Sequence, residues 1–357
     1  MPQDERAPGA AQTTADTRRV LMLAPSYSPR AGGVEKHIQR VCAELLGRGH
    51  EIRIATPLWE PDWPPAQTLD GIPIRRVSRD GPTGRGQLRD WFQWADIVHS
   101  HDAYPFLKYG LHFRFRLPPK RFFVTFHGYE GYPIPLEAKA LRRVVLWLTR
   151  GSICAGAFIP KWYRFSCTHI THGGVDCPDE MPVGGEGAVF VGRLEKDTGF
   201  LDSLEALKTL RNVHGIGLPL TVCGDGSLRE QGEAFADRYG IDVTFTGRVP
   251  DVTLYLLRAR FAFTSGLLGM LEAMANGCAV LATYDNPLKR DYLRLFPGAP
   301  YIEMARSPGE LAARTALILR DPAALDERLR EAFEFARTQT WSAVADLYEA
   351  LWGCGGR

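Results

Sequence analysis

Residues 261–283 read FAFTSGLLGMLEAMANGCAVLAT, the pattern of a strand, a glycine-containing turn, a helix and a second strand. The apolar run at 261–263 predicts a strand, and the turn at 264–266 can begin a helix. Apolar residues then recur at helical spacing until Gly277 ends the helix. In such a βαβ unit the helix N-terminus lies at the carboxyl end of the strand, where its free N–H groups favour a phosphate-containing ligand.

Glu272 is the one charged residue of this predicted helix. Because an unpaired carboxylate is costly to bury, its presence needs an explanation. It either points into water or accepts hydrogen bonds from two vicinal hydroxyl groups, such as those of a ribose. The helix by itself leaves both interpretations open.

The chain has 357 residues, enough for two domains, and its 45% hydrophobic and 24% charged residues are typical of a globular protein. The formal net charge is +2. Residues 1–180 contain 24 Lys and Arg against 18 Asp and Glu, whereas residues 181–357 contain 19 against 23. We therefore expect the first half to meet an anionic acceptor or surface.

The seven cysteines are scattered and form no CxxC pair, which argues against a disulfide framework and against a metal site of the zinc type. Residues 1–18 lack the apolar core of a signal peptide, so we interpret them as a disordered lead-in. The longest apolar segment, residues 144–159, is broken by Arg150 and is too short to span a bilayer. These features predict a cytoplasmic protein.

A glycine pair follows the first predicted strand. Residues 19–23 read RVLML, a buried-type strand that leads to Gly32 and Gly33, after which a helix begins. This order brings backbone N–H groups close to a phosphate, although a tight turn alone also explains two glycines. Residues 59–73 are rich in Pro and Trp and predict an irregular surface segment.

Polar residues end two further predicted strands. Residues 97–99 run into Ser100, His101 and Asp102, and residues 122–126 run into His127. In a doubly wound sheet, side chains at the carboxyl ends of strands line the ligand crevice. A purely structural histidine remains the alternative for His127.

Basic residues dominate residues 114–164, where ten Lys and Arg stand against Glu130 and Glu137, interleaved with tryptophans. This is either a solvated basic face or a surface for anionic lipid head groups or a phosphorylated acceptor. Because no nucleic-acid-binding motif is visible, we expect no nucleic-acid partner.

The second half repeats the α/β pattern after a Pro-, Gly- and acid-rich linker at 177–187. Apolar strands at 188–191, 218–223 and 243–249 alternate with helical segments. The whole pattern predicts two Rossmann-like, doubly wound α/β domains that face a central cleft.

Seven segments are distinctive as a set: AGGVEKH at 31–37, FHGYEG at 126–131, HGGVD at 172–176, FVGRLEKDTG at 190–199, CGDG at 223–226, FTGRVPD at 245–251 and LEAMANG at 271–277. Together they resemble the retaining glycosyltransferases of family 4, which have the two-domain GT-B fold. The resemblance implies an acceptor-binding domain at 19–180 and a nucleotide-sugar-binding domain at 181–335. It further implies a C-terminal helix at 336–357 that crosses back to the first domain.

The resemblance also implies roles for single residues. Arg193 would neutralise the donor diphosphate, Glu272 would hold the ribose hydroxyl groups, and His127 would lie near an outer hydroxyl of the donor sugar. His127 and Arg193 are therefore the candidate catalytic residues. Donor contacts are implied for further residues, namely Gly32, Gly33, Lys196, Gly224, Gly247, Val249, Thr264, Gly266 and Leu267.

The chain departs from the family pattern at two positions. Thr264 stands where the family has a Glu that meets the donor sugar, and Thr198 stands where it has a Lys, with Lys196 nearby as a substitute. Neutralising a departing diphosphate contributes strongly to catalysis, so the loss of a cation matters. In a catalytic protein, either Thr264 suits a donor whose hydroxyl at that edge is missing, inverted or substituted, or another residue makes the missing contact.

We therefore expect a metal-independent, cofactor-free retaining glycosyltransferase that moves a sugar from a UDP- or GDP-type donor to an acceptor such as a lipid-linked or small-molecule glycan. No nucleophile or strong general base stands out, which favours a front-face mechanism. The alternatives are a non-catalytic homologue that binds a nucleotide or a partner enzyme, and a sugar-nucleotide epimerase of the same fold. The basic stretch predicts peripheral contact with the inner face of an anionic membrane.

Overall fold

The computed structural model describes residues 17–116 and 121–353, with Arg121 described by its backbone only. Residues 1–16 of the predicted lead-in, together with Lys120 and Cys354, lie outside the described residues. The described chain forms two α/β domains, each built on a largely parallel sheet. The predicted fold class is therefore confirmed.

The first domain contains an eight-stranded sheet. Its strands are β1 (Arg19–Leu23), β2 (Glu51–Pro57), β3 (Ala66–Leu69), β4 (Ile72–Val77), β5 (Ile97–His101), β6 (Arg121–Phe126), β7 (Gly151–Ala155) and β8 (His169–Thr171). The strand order is β3-β4-β2-β1-β5-β6-β7-β8, and β3 alone among them is antiparallel to its neighbour. The central strands β1 and β5 are buried on both faces; β1 is an apolar run after Arg19, whereas β5 ends in three buried polar residues at 99–101.

One expectation for this domain is wrong. The segment 59–73 was predicted to be irregular, but Ala66–Leu69 forms a hairpin with β4. Asp70 and Gly71 make the connection with positive φ angles of 50° and 78°. Both residue types tolerate that conformation, so the turn allows edge pairing despite the Pro-rich surroundings.

Helices cover both faces of the first sheet. They are α1 (Gly33–Gly47), α2 (Gly81–Trp94), α3 (Ala103–Pro105), α4 (Leu111–Arg116), α5 (Leu136–Leu148) and α6 (Phe158–Tyr163), with a π-helical segment at Phe106–Gly110. Helices α2 and α5 pack against one face of the sheet and form one hydrophobic core with it. Helix α1 packs against the opposite face and forms a second core.

The second domain contains six parallel strands. They are β9 (Ala188–Val191), β10 (Leu220–Cys223), β11 (Val243–Gly247), β12 (Phe261–Phe263), β13 (Ala279–Thr283) and β14 (Ile302–Ala305), in the order β11-β10-β9-β12-β13-β14. Its helices are α7 (Phe200–His214), α8 (Arg229–Tyr239), α9 (Thr253–Leu256), α10 (Leu267–Ala275), α11 (Pro287–Arg294), α12 (Pro308–Leu319) and α13 (Pro322–Arg337), with 3-10 turns at Lys196–Thr198 and Ala299–Tyr301. Strand order reverses between β9 and β12, which is where doubly wound sheets bind ligands.

The last helix, α14 (Trp341–Trp352), packs on the first domain although it follows the second in the chain. Trp341, Tyr348 and Trp352 are buried in the same core as α1. This helix therefore completes the first domain's hydrophobic core and ties the two domains together.

Polar contacts between described residues join the domains beside the cleft. Lys36 on α1 forms an ion pair with Glu272 on α10. On α11, Asp291 pairs with Lys161 at 2.7 Å and accepts a hydrogen bond from Trp162 Nε1 at 3.1 Å. Within the described ranges, no helix combines the length and apolar character needed to cross a bilayer.

Candidate functional site

The carboxyl ends of β9, β10 and β12 lie side by side and carry several of the predicted donor residues. Parallel pairing aligns Phe190 with Phe263 and Val191 with Cys223, so the loops that begin at Gly192, Gly224 and Thr264 leave the sheet at one edge. This edge faces α1 of the first domain, as the Lys36–Glu272 ion pair shows. The sheet thus assembles a cleft site from three separate loops.

Gly224 is required by close packing between two of these loops. A Cβ at position 224 would overlap the carbonyl oxygen of Gly192. The N–H of Gly224 donates to the carbonyl of Gly247 at 2.9 Å, and Gly247 has a φ of 73° that favours glycine. Val249, two residues further on, is half-buried against the α10 side of the second domain. The structure therefore brings the predicted residues Gly224 and Gly247 together.

Glu272 does not simply point into water. Its side chain is 15% exposed and pairs with Lys36, which follows the glycine pair of α1. One carboxylate offers about four acceptor positions, so a partner on one oxygen leaves room for further hydrogen bonds. The acid is thus held at the junction of the two domains by a cation that the sequence reasoning did not identify.

The glycine pair lies at the start of α1, as predicted. Gly32 is the N-cap residue in an extended conformation, and no side chain caps the helix. A Cβ on Gly33 would meet no atom of the described residues within 4 Å, so the space beside it is open. The first N–H groups of a helix lack partners within it and can receive an anion. The carboxylate of Glu35 lies beside Gly32 at the same turn.

Arg193 follows β9 and extends into solvent. Its guanidinium is 67% exposed and pairs with Asp197 at 2.9 Å. Lys196 is exposed in the same loop. Thr198 has no charge to contribute, and its hydroxyl lies 2.8 and 2.7 Å from the carbonyl oxygens of Arg193 and Glu195, to which it can donate. Because an exposed ion pair of this kind contributes little stability, Arg193 can exchange Asp197 for another anionic partner at low cost.

Thr264 and Thr198, the two departures from the family pattern, line one small cavity beside α7 and β13. Thr264 is 3% exposed, and its hydroxyl lies against Gly269, where a Cβ would approach it to 2.5 Å. Both threonines therefore border the same cavity, with Thr264 buried and Thr198 partly exposed. The two substitutions are neighbours although 66 positions separate them in the sequence, a relationship that motif comparison could not reveal.

The turn after Thr264 is shaped by α11. Gly266 is the exposed N-cap of α10, and Leu267 N–H donates to the hydroxyl of Tyr292 at 2.9 Å. Lys289 Nζ donates to the carbonyl of Ser265 at 3.0 Å. Two side chains of α11 thus hold the turn that carries the predicted residues Gly266 and Leu267.

His127 belongs to a cluster of four buried histidines. Its Nε2 lies 3.0 Å from Nδ1 of His101, and its ring centre lies 5.0 Å from that of His37. His99 completes the cluster, 5.4 Å from His101 between ring centres. Burial lowers the pKa of all four histidines. The pKa is about 4 for His37 and about 3 for His99, and it lies well below 6.5 for His101 and His127. All four rings are therefore neutral at physiological pH.

Side chains of α14 connect this cluster to the C-terminus. The hydroxyl of Tyr348 lies 3.0 Å from His37 Nε2 and 2.9 Å from Thr125 Oγ1. Thr125 in turn contacts His99, whose Nδ1 accepts from Trp352 Nε1 at 3.0 Å. The last helix thus sets the orientation of histidines beside the cleft.

Asp102 holds the loop that carries His127. Its Oδ1 accepts from the His127 N–H at 2.8 Å, while Arg142 donates to the His127 carbonyl at 3.2 Å. Burial of the carboxyl group raises the pKa of Asp102 to about 6, although Arg142 opposes this shift. The backbone of Asp102 has a φ of 68°, a strained value that these contacts stabilise.

Sequence reasoning missed several residues of the site. Lys36 lies inside the segment at 31–37, so its position directly after the glycine pair was a signal that could have been used. Lys289 and Tyr292 lie in no quoted segment, and their place is set only by the packing of α11. In the ranges that the structure describes, no three His, Cys, Asp or Glu side chains are arranged to hold a metal ion.

Two protein-family models match the chain. Residues 31–159 match the family described as Glycosyltransferase Family 4, and residues 181–334 match the family described as Glycosyl transferases group 1. The chain is 23% identical to a glycogen synthase of Mycobacterium tuberculosis, in an alignment that covers 92% of each protein.

Solved structures share the fold. Anabaena HepE in complex with UDP and glucose superposes with a TM-score of 0.72 at 14% identity, covering 93% of this chain and 98% of HepE. Sucrose-phosphate synthase from Thermosynechococcus elongatus gives a TM-score of 0.71 at 17% identity, covering 94% and 100%. At these identities the likeness establishes the shared two-domain architecture.

Proposed function

The chain belongs to the GT-B glycosyltransferases of family 4 and group 1, and from this premise we propose that it transfers a sugar, with retention, from a nucleotide diphosphate sugar to an acceptor held by the first domain. Glu272 is the observation that carries the proposal. It is a largely buried acid beside the N-terminal turn of α1, on a helix whose own N-terminus lies at the switch point of the second sheet. That position suits ribose hydroxyl groups next to a diphosphate.

The proposed chemistry needs charge stabilisation and no protein nucleophile. The bond between the anomeric carbon and the leaving phosphate oxygen breaks with its electron pair on that oxygen. The acceptor oxygen bonds to the same face of the sugar, and its proton passes to the leaving oxygen. Arg193 and the N–H groups of the α1 turn stabilise the departing diphosphate, so the proposal includes no metal. HepE was solved with UDP, so UDP-sugars are the first donors to test, followed by GDP-sugars.

His127 is proposed to position the donor sugar. Burial keeps its ring neutral, and His101 occupies its Nε2. No group in the described part of the chain hydrogen-bonds to its Nδ1. That nitrogen can therefore contact a hydroxyl of the sugar.

We predict that Glu272→Gln weakens UDP binding about 10- to 100-fold, since the variant loses hydrogen bonds to a charged acceptor worth about 1.5–3 kcal/mol. Lys36→Met is the matched control, because it breaks the same ion pair but keeps the carboxylate. Isothermal titration calorimetry should show a much smaller change for Lys36→Met. Equal losses in both variants would assign Glu272 to domain contact and not to the ribose.

The non-catalytic alternative rests on Thr198 and Thr264. Transfer assays with a panel of nucleotide sugars, read by mass spectrometry, separate it from the proposed enzyme. UDP or GDP binding without hydrolysis or transfer from any donor would favour the binding protein.

Peripheral membrane contact is proposed for the outer face of α5. Leu136 and Trp147 are each 82% exposed there, with Arg143 and Arg150 beside them. The basic surface is smaller than the sequence suggested, because Arg142 is buried and pairs with Glu130. An apolar strip flanked by cations suits the interface of an anionic bilayer.

We predict that the double substitution Leu136→Ser and Trp147→Ser weakens binding to anionic vesicles at least about tenfold, since burying each apolar side chain contributes about 1.5–3 kcal/mol. Val213→Ser is the control, because Val213 is 70% exposed on the second domain. Binding should also fade with salt, since the Debye length is about 8 Å at physiological ionic strength. Co-sedimentation that is insensitive to these substitutions, lipid charge and salt would contradict the proposal.

A further inference from the structure

Lys289 is a buried cation without an anionic partner. It is 6% exposed, and its Nζ donates to the carbonyl of Ser265 and lies 4.6 Å from the centre of the Tyr292 ring. No carboxylate of the described residues forms an ion pair with it. Asp291 on the same helix is engaged by Lys161 and Trp162 of the first domain. One carbonyl and one ring leave part of the ammonium's hydrogen-bonding capacity unused.

Such burial is unfavourable unless an anion compensates for it. Desolvation of an ammonium group costs several kcal/mol, and its most direct effect is loss of the proton. Burial lowers the pKa of Lys289 to about 8, Arg193 lowers it further, and Asp197 and Asp285 partly oppose the shift. Lys289 therefore still carries a proton at neutral pH but is close to losing it.

The ammonium group points at the turn where α10 begins. Ser265, whose carbonyl it contacts, precedes the N-cap Gly266, and a Cβ on Gly266 would meet no described atom within 4 Å. The open space at this turn is thus bordered by a helix N-terminus and by a buried cation. Both features favour a phosphate group.

We infer that Lys289 is a second cation of the diphosphate site and contacts a phosphate oxygen of the donor beside Arg193. The inference rests on the proposed function and deepens it, because it assigns the phosphate-binding charge that Thr198 does not provide. Lys289 reaches this position from α11, whereas Arg193 is carried by the loop after β9.

The test compares two substitutions of Lys289. Lys289→Gln keeps a donor for the Ser265 carbonyl but removes the charge, whereas Lys289→Arg keeps the charge. We expect Lys289→Gln to bind UDP about 10- to 100-fold more weakly while UMP affinity changes less than about threefold, as for a lost charge-assisted contact. Lys289→Arg should retain most of the UDP affinity. Lys208→Met is the control, because Lys208 also stacks on an aromatic ring, Tyr239, but lies on α7.

The pH dependence provides a second measurement. A bound phosphate favours the protonated amine, so above about pH 8 the free protein must take up a proton to bind UDP, and affinity should fall by up to about tenfold per pH unit. The fall should be absent in Lys289→Arg. Tyr292 and Tyr129, which lie near the same turn, have raised pKa values and do not titrate in this range.

Three outcomes would overturn the inference. Unchanged UDP affinity in Lys289→Gln would exclude the contact, and parallel losses of UDP and UMP affinity with a lowered Tm would make Lys289 purely structural. If the wild-type protein binds neither UDP nor GDP, the proposed function and this inference both fail. If the wild-type protein binds UDP and Lys289→Gln binds it equally well, the inference fails but the proposed function stands.

Discussion

Acidification from pH 7 to pH 5 is expected to lower the free energy of unfolding of the first domain by about 4–6 kcal/mol. The cause is the cluster of His37, His99, His101 and His127, whose pKa values burial holds below the ordinary 6.5. As the pH falls through 6.5, the unfolded chain takes up these protons before the folded chain does. Stability is therefore fully present above about pH 6.5 and is lost toward pH 4.

Asp102 acts in the opposite direction. Its pKa is raised from 3.8 to about 6, so the folded state takes up this proton first and gains stability as the pH falls below 6. Asp102→Asn keeps an oxygen for the His127 N–H but removes the titrating carboxyl group. The loss of stability on acidification should therefore be steeper in this variant. His101→Gln removes one histidine and should make it shallower by about 1.4 kcal/mol per pH unit.

Urea unfolding at a series of pH values, followed by intrinsic tryptophan fluorescence, measures these slopes. All eight tryptophans lie between positions 59 and 162 or in α14, whose Trp341 and Trp352 are buried in the first domain's core, so the signal reports on the relevant domain. Equal stability at pH 5 and pH 7 would show that the histidines are not held neutral.

Thr264→Glu is expected to destabilise the second domain by about 3–5 kcal/mol, because it buries a carboxylate where the protein now has a hydroxyl. Thr264 is 3% exposed and faces Gly269 and the cavity that it shares with Thr198. Thr264→Gln has the same shape without charge, so its cost, about 1–3 kcal/mol, measures overpacking alone.

A cation at position 198 should offset part of that cost. In a double-mutant cycle, Thr198→Lys and Thr264→Glu should show a favourable coupling of about 0.5–3 kcal/mol, because both residues line one cavity. If Thr264 also selects the donor, the double variant should shift transfer toward an ordinary hexose donor in the mass-spectrometric panel. If the two substitutions change stability additively, the two side chains do not interact. If the donor preference does not shift, Thr264 does not select the donor.

The fold class was predictable because its evidence is local. Residues 261–283 have the apolar spacing of a strand, a helix and a strand, and β12, α10 and β13 form there. The strand Phe261–Phe263 and the helix end near Gly277, with its φ of 72°, follow from residue type and spacing alone. The hairpin at Ala66–Leu69 was missed because edge pairing depends on a neighbouring strand and not on local composition.

The sequence by itself determined two parallel α/β domains and the positions of the motifs, since helix and strand periodicity and glycine turns are encoded in short segments. The tertiary structure alone decided the partners of the site residues. Lys36 and Glu272 are 236 positions apart, Tyr348 reaches the histidine cluster from the last helix, and Lys289 reaches the α10 turn from α11. Such contacts depend on strand order and on how the two domains pack. A local pattern carries no information about either, so the charges that surround Glu272 and the α10 turn became visible only in the folded chain.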